Sequence, residues 1–242
     1  KLLILGLDTT TLACSVALLE RDTLLAEYTL NIRKTHSERL MPLIDALLKE
    51  SSIEREQLEA IAVAAGPGSF TGIRIGVSTA RALAQGLGIP AVGVSTLQAL
   101  AEAVASPGAL ICPLLDARRD EVYCALYRRE SNPPRNLEML SAPAAMEVAA
   151  LAEKLKRYSE PVLFTGEGLT AYGPFLLERL GDRAILPQAP QRLCRAAWIA
   201  LGGQMLLEKY PGASFQEVLP QYLRRPEAER RLEEQKGGPA CP

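Results

Sequence analysis

The chain has 242 residues, of which 48% are hydrophobic, and its 27 basic and 28 acidic side chains leave a net charge of −1. This composition indicates a globular protein of one or two domains and excludes an overall basic, nucleic-acid-binding surface. No apolar run reaches the roughly 18 residues of a membrane-spanning helix. The five cysteines are odd in number and scattered, which predicts reduced thiols in a cytoplasmic protein.

The chain opens with three predicted strands, at 2–7, 13–20 and 24–30. A helix is then predicted from Ser37, because its apolar positions recur every three or four residues. His36, the single histidine, precedes this helix. That position favours a capping or interface residue over a catalytic one.

The stretch 61–88 organises the rest of the chain. The apolar run 61–65 stops at Gly66-Pro67-Gly68 and resumes with helical periodicity, which predicts a buried strand, a tight turn and a helix. A turn before a helix N-terminus could seat an anion. No Gly-Lys-Ser/Thr follows, so it is not a Walker motif.

This predicted helix has two non-polar faces. One is an apolar stripe made of Ile73, Val77, Ala80, Ala84 and Leu87. The other consists mostly of small residues and comprises Gly72, Gly76, Thr79, Leu83 and Gly86. A helix of this kind is expected to be buried on two sides, either inside one chain or at a subunit interface. We favour the interface, and therefore expect Gly76→Leu to weaken partner binding while leaving the chain folded.

The second half of the chain repeats the first. A strand at 91–94 and a helix from Ser95 lead to a break at 106–108, after which residues 110–116 align with 2–8. The strand, glycine turn and helix recur at 162–180. Two duplicated α/β subdomains with mixed sheets flanked by helices resemble the actin-like ATPase (ASKHA) fold of sugar kinases and Hsp70-type chaperones.

We place the N-terminal subdomain at 1–105, the C-terminal subdomain at 106–226, and a charged tail, predicted to be disordered, at 227–242. The fold resemblance implies a degenerate nucleotide cleft at Asp8, Thr9 and Thr10, where they would meet magnesium and phosphate. The alternative, which we favour, is that these residues cap the strand end and hold the hairpin.

Four motifs carry a closer resemblance: Asp8-Thr9-Thr10, THSERLMPLID at 35–45, GPGSFTGIRIG at 66–76 and DARRDEVY at 116–123. Together they resemble the TsaB (YeaZ) family. That family acts with TsaD and TsaE in making threonylcarbamoyladenosine next to the anticodon of certain tRNAs. The resemblance implies a scaffold that heterodimerises with a TsaD-type catalytic subunit, recruits a TsaE-type ATPase, meets tRNA only through the complex, and forms a homodimer alone. The partner interface it implies comprises His36, Leu40, Met41, Ile44, Phe70, Gly72, Gly76, Thr79 and Leu83.

The sequence also lacks ligands that TsaD has. TsaD, which this chain resembles, carries a His-x-x-x-His pair that holds a catalytic metal, and the corresponding positions here are Thr96 and Leu100. Neither side chain replaces imidazole as a strong metal ligand. We therefore expect no catalytic residue, no metal and no cofactor. The rival classes are a free-standing actin-like kinase and a glycoprotease-type peptidase.

Overall fold

The structure is a computed structural model that describes residues 2–32, 34–104, 108–129 and 137–224. The strands are β1 (Leu3–Asp8), β2 (Cys14–Glu20), β3 (Thr23–Leu30), β4 (Ala60–Gly66), β5 (Ala91–Ser95), β6 (Leu110–Arg118), β7 (Glu121–Arg129), β8 (Leu137–Glu147), β9 (Val162–Thr165) and β10 (Ala184–Ile185). The α-helices are α1 (His36–Glu50), α2 (Phe70–Leu87), α3 (Thr96–Glu102), α4 (Val148–Leu155), α5 (Leu169–Leu180) and α6 (Ala196–Lys209). Across these ranges, every helix is too short or too polar to cross a membrane.

The strands form two five-stranded sheets with equivalent topology. The orders are β3-β2-β1-β4-β5 in the first sheet and β8-β7-β6-β9-β10 in the second. In each sheet three strands form an antiparallel meander, and the two remaining strands run parallel to its first strand. The predicted duplication of two mixed sheets flanked by helices is therefore confirmed.

The first sheet is covered on both faces. β1 and β4 are buried along their whole length, as continuous apolar sequence predicts for central strands between two layers. Helices α1 and α2 pack on one face, where Leu40, Ile44, Ile73 and Val77 contribute to a single apolar cluster. Helix α6 packs on the other face.

Helices α3 and α6 lie between the two sheets. α3 follows the first sheet in sequence but also packs on β6, while α6 follows the second sheet and packs on β1, β2 and β4. Gly6 permits this approach, since a Cβ there would clash with the Ala196 carbonyl and lie 2.9 Å from the Ala200 Cβ. Helix α6 thus comes from the second part of the sequence but covers a face of the first sheet, and the division between 105 and 106 stays a prediction.

The N-terminus of α6 is held by the first sheet. The backbone N–H of Ala196 donates to Ser15 Oγ, and that of Ala197 donates to Glu27 Oε1, both at 3.0 Å. Side chains of β2 and β3 thus accept hydrogen bonds from N–H groups that the first turn of a helix cannot satisfy.

The cysteines agree with the predicted thiols. Cys14, Cys112, Cys124 and Cys194 are free and buried. Burial raises the pKa of Cys14 and of Cys124 to about 11, which keeps both thiols protonated near neutral pH. Cys241 and the predicted tail at 227–242 lie outside the described residues.

Candidate functional site

A cleft of about 670 Å³ lies between the two subdomains. On the first subdomain its walls are the loop after β1, the Gly66-Pro67-Gly68 turn and the start of α2. On the second they are the β6–β7 hairpin and Glu167, and the chain segment 221–224 lines the cleft as well. The turn that the sequence singles out therefore faces a cleft.

Asp8, Thr9 and Thr10 lie beneath this cleft and do not line it. All three are fully buried. Thr10 donates from its backbone N–H and its hydroxyl to Asp8 Oδ1, at 2.9 and 2.7 Å, and the Thr9 hydroxyl donates to the Gly72 carbonyl at 2.7 Å. These hydrogen bonds hold the end of β1, which agrees with the alternative role given to these residues, and the implied nucleotide contact stays a prediction.

The Asp8 carboxyl is electrostatically unusual. Burial raises its pKa, and the hydrogen bonds from Thr10 oppose this effect. Within the described chain, Asp8 Oδ2 accepts no well-formed hydrogen bond, although the nearby Cys194 thiol also lowers the pKa of the carboxyl. A buried carboxyl with one poorly satisfied oxygen is stabilised by keeping its proton.

The glycine turn packs against the chain's own backbone. Ser69 N–H donates to the Thr10 carbonyl, and Gln221 N–H donates to the Ala65 carbonyl, both at 2.7 Å. Gly66 has a φ of +120°, and a Cβ there would lie 2.5 Å from the Gln221 carbonyl oxygen. The predicted tight turn is therefore held by contacts within the chain.

The small-residue face of α2 is largely internal. A Cβ on Gly72 would clash with the Thr9 carbonyl, and one on Gly76 would lie 2.6 Å from Thr9 Oγ1. Gly86, by contrast, is exposed and has no neighbour within 4 Å of its Cβ position. The loop after β1 occupies the side of the helix on which Gly72 and Gly76 lie, so it covers both of these predicted interface residues within the chain. Gly76→Leu would disturb the fold itself.

Other predicted interface residues on α1 and α2 divide into buried and accessible ones. Leu40 and Ile44 are buried and belong to the apolar core of the first subdomain. Met41 is 47% exposed, and Thr79 and Leu83 are half-buried. A groove of about 510 Å³ lies between the two helices, and we call it the α1–α2 groove. Its apolar lining includes Met41, Leu48, Leu83 and Leu87.

His36 and Phe70 line the cleft between the subdomains, away from the α1–α2 groove. His36 Nε2 lies 2.8 Å from the Thr11 carbonyl oxygen. Because a carbonyl only accepts, this contact assigns the proton to Nε2. The Phe70 ring stacks on Tyr222 with centroids 4.8 Å apart, and the Arg74 guanidinium lies 4.0 Å from the Phe70 centroid. Periodicity gives no signal for this three-residue stack.

The β6–β7 hairpin forms the opposite wall. Asp116 Oδ1 accepts the Arg118 N–H at 2.7 Å and the Tyr172 hydroxyl at 3.3 Å. Arg118, Arg119 and Asp120 have φ values of 63°, 56° and 60°. This left-handed conformation costs roughly 1–2 kcal/mol for a non-glycine residue, so the surroundings must hold the hairpin in place.

Glu167 completes the cleft wall beside this hairpin. Burial raises its pKa, the hydrogen bond from Leu12 opposes this, and the negative charges of Asp8 and Asp116 raise it further. The Leu12 N–H lies 3.5 Å from Glu167 Oε2, across the two subdomains. The cleft therefore combines carboxyl groups with the arginines of the hairpin.

Comparison with known proteins identifies the family. Residues 23–232 match the family model described as TsaD: tRNA N6-adenosine threonylcarbamoyltransferase. The Bacillus subtilis tRNA threonylcarbamoyladenosine biosynthesis protein TsaB is 37% identical over 234 residues, which are 96% of this chain and 99% of that protein. The chain belongs to the TsaB (YeaZ) family.

Two further TsaB (YeaZ) relatives agree over nearly the whole chain. The Escherichia coli protein of the same name is 34% identical over 236 residues, covering 95% of this chain and 97% of the relative. A Pseudomonas aeruginosa crystal structure, described as an uncharacterized protein with similarity to peptidase YeaZ, is 30% identical, with a TM-score of 0.78 over 93% of this chain and 100% of that one. The predicted family and the actin-like ATPase fold are confirmed.

The two positions compared above with a metal-binding pair belong to the protein core. Thr96 and Leu100, both on α3, are fully buried. The Thr96 hydroxyl lies 3.4 Å from the Thr10 hydroxyl, so it contacts the end of β1. Among the residues that the structure describes, no group of three or more histidine, cysteine, aspartate and glutamate side chains could hold a metal ion.

Proposed function

We propose that this chain is a non-catalytic scaffold in threonylcarbamoyladenosine biosynthesis on tRNA. In this role it heterodimerises with a TsaD-type catalytic subunit and recruits a TsaE-type ATPase in the cytoplasm, and tRNA meets it only through the complex. Two relatives that match nearly the whole chain are named for this pathway, which supports the assignment.

The observation that carries the scaffold role is the α1–α2 groove. Met41 is 47% exposed, and the half-buried Leu83 and Leu87 continue its apolar surface. Asp45 and Lys49 provide polar groups beside it. An apolar centre with a polar rim is the arrangement found at protein–protein interfaces. Two copies of this chain would cover the groove in a homodimer until TsaD replaces one of them.

The non-catalytic part of the proposal is supported by the contacts of the residues that a catalytic site would need. Asp8 is hydrogen-bonded within its own loop, and Thr96 and Leu100 are packed in the core. The one histidine, His36, bonds a backbone carbonyl. These structural contacts support the proposal that the transfer chemistry belongs to the partner.

Leu83→Arg tests the proposed interface. A charge placed in the groove must be desolvated on binding, so we expect the affinity for the TsaD-type subunit of the same organism to fall about 100-fold. Leu177→Arg, at a 44% exposed leucine on α5, is the matched control and should bind like the wild type. Isothermal titration calorimetry measures both. Equal affinities of the two variants would contradict the interface.

Reconstitution separates a scaffold from an enzyme. Threonylcarbamoyl transfer to tRNA is measured with the TsaD-type and TsaE-type proteins, with and without this chain. We expect transfer to depend on the chain, and we expect the chain alone to show neither ATP turnover nor peptide cleavage. Full transfer without it would contradict the scaffold, and robust turnover by the chain alone would favour the kinase or peptidase classes.

A further inference from the structure

The end of the described chain crosses the cleft between the subdomains. We call residues 218–224 the strap. It begins at Val218, which is 3% exposed and packed in the apolar cluster of the first subdomain. It ends at Arg224, which contacts the second subdomain. The strap is therefore a covalently continuous link across the cleft.

The anchor on the first subdomain joins the strap to the glycine turn and to α2. Gln221 N–H donates to the Ala65 carbonyl at 2.7 Å, and the Gln221 carbonyl packs on Gly66. Tyr222 stacks on Phe70, and its hydroxyl accepts from Arg74 Nε at 2.9 Å. Backbone pairing and an arginine–aromatic stack together hold this end in one position.

The described anchor on the second subdomain is the Arg224 side chain. Arg224 Nη1 donates to the Ala117 carbonyl at 3.0 Å, and its Nη2 pairs with the Glu121 carboxylate. The side chains are 17% and 25% exposed, so water screens this pair less than an ordinary surface pair. Both contacts lie in the β6–β7 hairpin that holds three non-glycine residues at positive φ.

Other described contacts also join the subdomains, including the ion pair between Arg129 Nη2 on β7 and Glu102 Oε2 on α3 at 3.0 Å. Across the cleft, the Leu12 N–H and Glu167 are 3.5 Å apart, which is at the limit of a hydrogen bond. Between the sheets, α3 and α6 form a shared apolar core. A shared apolar core with polar contacts at the cleft is an arrangement that allows rotation when the polar contacts are released.

We propose that the strap is a latch that sets the opening of the cleft. With Arg224 on the hairpin, the subdomains are held together over Ser69, Thr71, Arg118 and Arg119, which line the space between them. Without that contact the subdomains rotate about the α3–α6 core and the cleft opens. This inference does not depend on the proposed scaffold function, since it concerns the isolated chain.

Distance measurement by electron paramagnetic resonance tests the latch in the full-length chain. Spin labels are placed at Ser78 on α2 and Glu178 on α5, which are exposed positions on helices that both begin at the cleft. Cys241→Ser removes the cysteine outside the described residues, and the described cysteines are buried. Arg224→Ala should broaden the distance distribution and shift it to longer distances.

The controls separate release of the latch from general destabilisation. Arg55→Ala breaks an ion pair with Glu56 whose side chains are 72% and 69% exposed, and it should leave the distribution unchanged. Glu121→Gln keeps the hairpin's shape and weakens only the charge pairing, so it should shift the distribution in the same direction by less. Circular dichroism verifies that each variant is folded.

Hydrogen exchange gives an independent measurement on the same variants. Release of Arg224 should make amides of the β6–β7 hairpin exchange about tenfold faster while amides of β1 and β4 keep their rates. If Arg224→Ala matches Arg55→Ala in both its distance distribution and its hairpin exchange, the latch is refuted.

Discussion

At the residue scale, burial of the Asp8 carboxyl makes the stability of the folded chain depend on pH. Its raised pKa means that the folded chain keeps a proton which the unfolded chain loses near pH 4. The folded state therefore binds more protons between the two pKa values, and stability from this group is present below about pH 4 and is lost as pH rises through the raised pKa.

Asp8→Asn makes this dependence measurable. Asparagine keeps an acceptor at the Oδ1 position for both Thr10 donors and cannot ionise. We expect the free energy of unfolding of the variant, relative to the wild type, to rise as pH is raised from 4 to 7. Guanidinium unfolding at several pH values measures it. Asp45→Asn, at an exposed position of α1, controls for the loss of one negative charge. A pH-independent difference would show that Asp8 ionises alike in both states.

At the element scale, helix α2 contains one glycine with no room for a side chain and one that is open to solvent. Gly72 leaves no room for a methyl group beside the Thr9 carbonyl, whereas Gly86 is open to solvent. We expect Gly86→Ala to stabilise the chain by about 0.5–1 kcal/mol, because alanine favours the helix. We expect Gly72→Ala to destabilise it by about 3 kcal/mol, because backbone must move. Thermal unfolding of both variants and of the wild type measures these changes in stability. Equal changes in stability would show that the loop after β1 moves to accommodate the added methyl group at little cost.

Sequence patterns predicted helix α2 but not which groups pack against its small-residue face. The apolar run, glycine turn and helical stripe located β4, the turn and α2, and the stripe residues Ile73, Val77, Ala80 and Ala84 are buried. The pattern could not distinguish Gly72 against Thr9 of the same chain from Gly72 against a partner. Periodicity reports that a face is covered, and the covering group here comes from about 60 residues earlier in sequence.

At the scale of the whole molecule, the predicted repeat gave the two sheets but not the placement of α3 and α6. The duplication follows from local similarity between 2–8 and 110–116, which any comparison of the two halves detects. The covering of the first sheet by α6 depends on Gly6 and Ala200 meeting across a long sequence separation. The strap was not predicted either, because its contact between Arg224 and the Ala117 carbonyl joins residues 107 positions apart in sequence.

This placement of α6 predicts that the two subdomains unfold together. Trp198, the single tryptophan, lies on α6 and packs against the core shared by both sheets. Its fluorescence and the far-ultraviolet circular dichroism of the whole chain should therefore give one coincident denaturant transition.

Gly6→Val tests this coupling. Its side chain would clash with the Ala196 carbonyl and the Ala200 Cβ, so we expect both midpoints to fall together and the free energy of unfolding to decrease by about 3 kcal/mol or more. Leu177→Val, at an exposed leucine on α5, controls for a change of aliphatic side chain. A fluorescence midpoint clearly below the dichroism midpoint would contradict this prediction. It would show that α6 leaves the first sheet before either sheet unfolds, so that the interface between the subdomains is less stable than the sheets it joins.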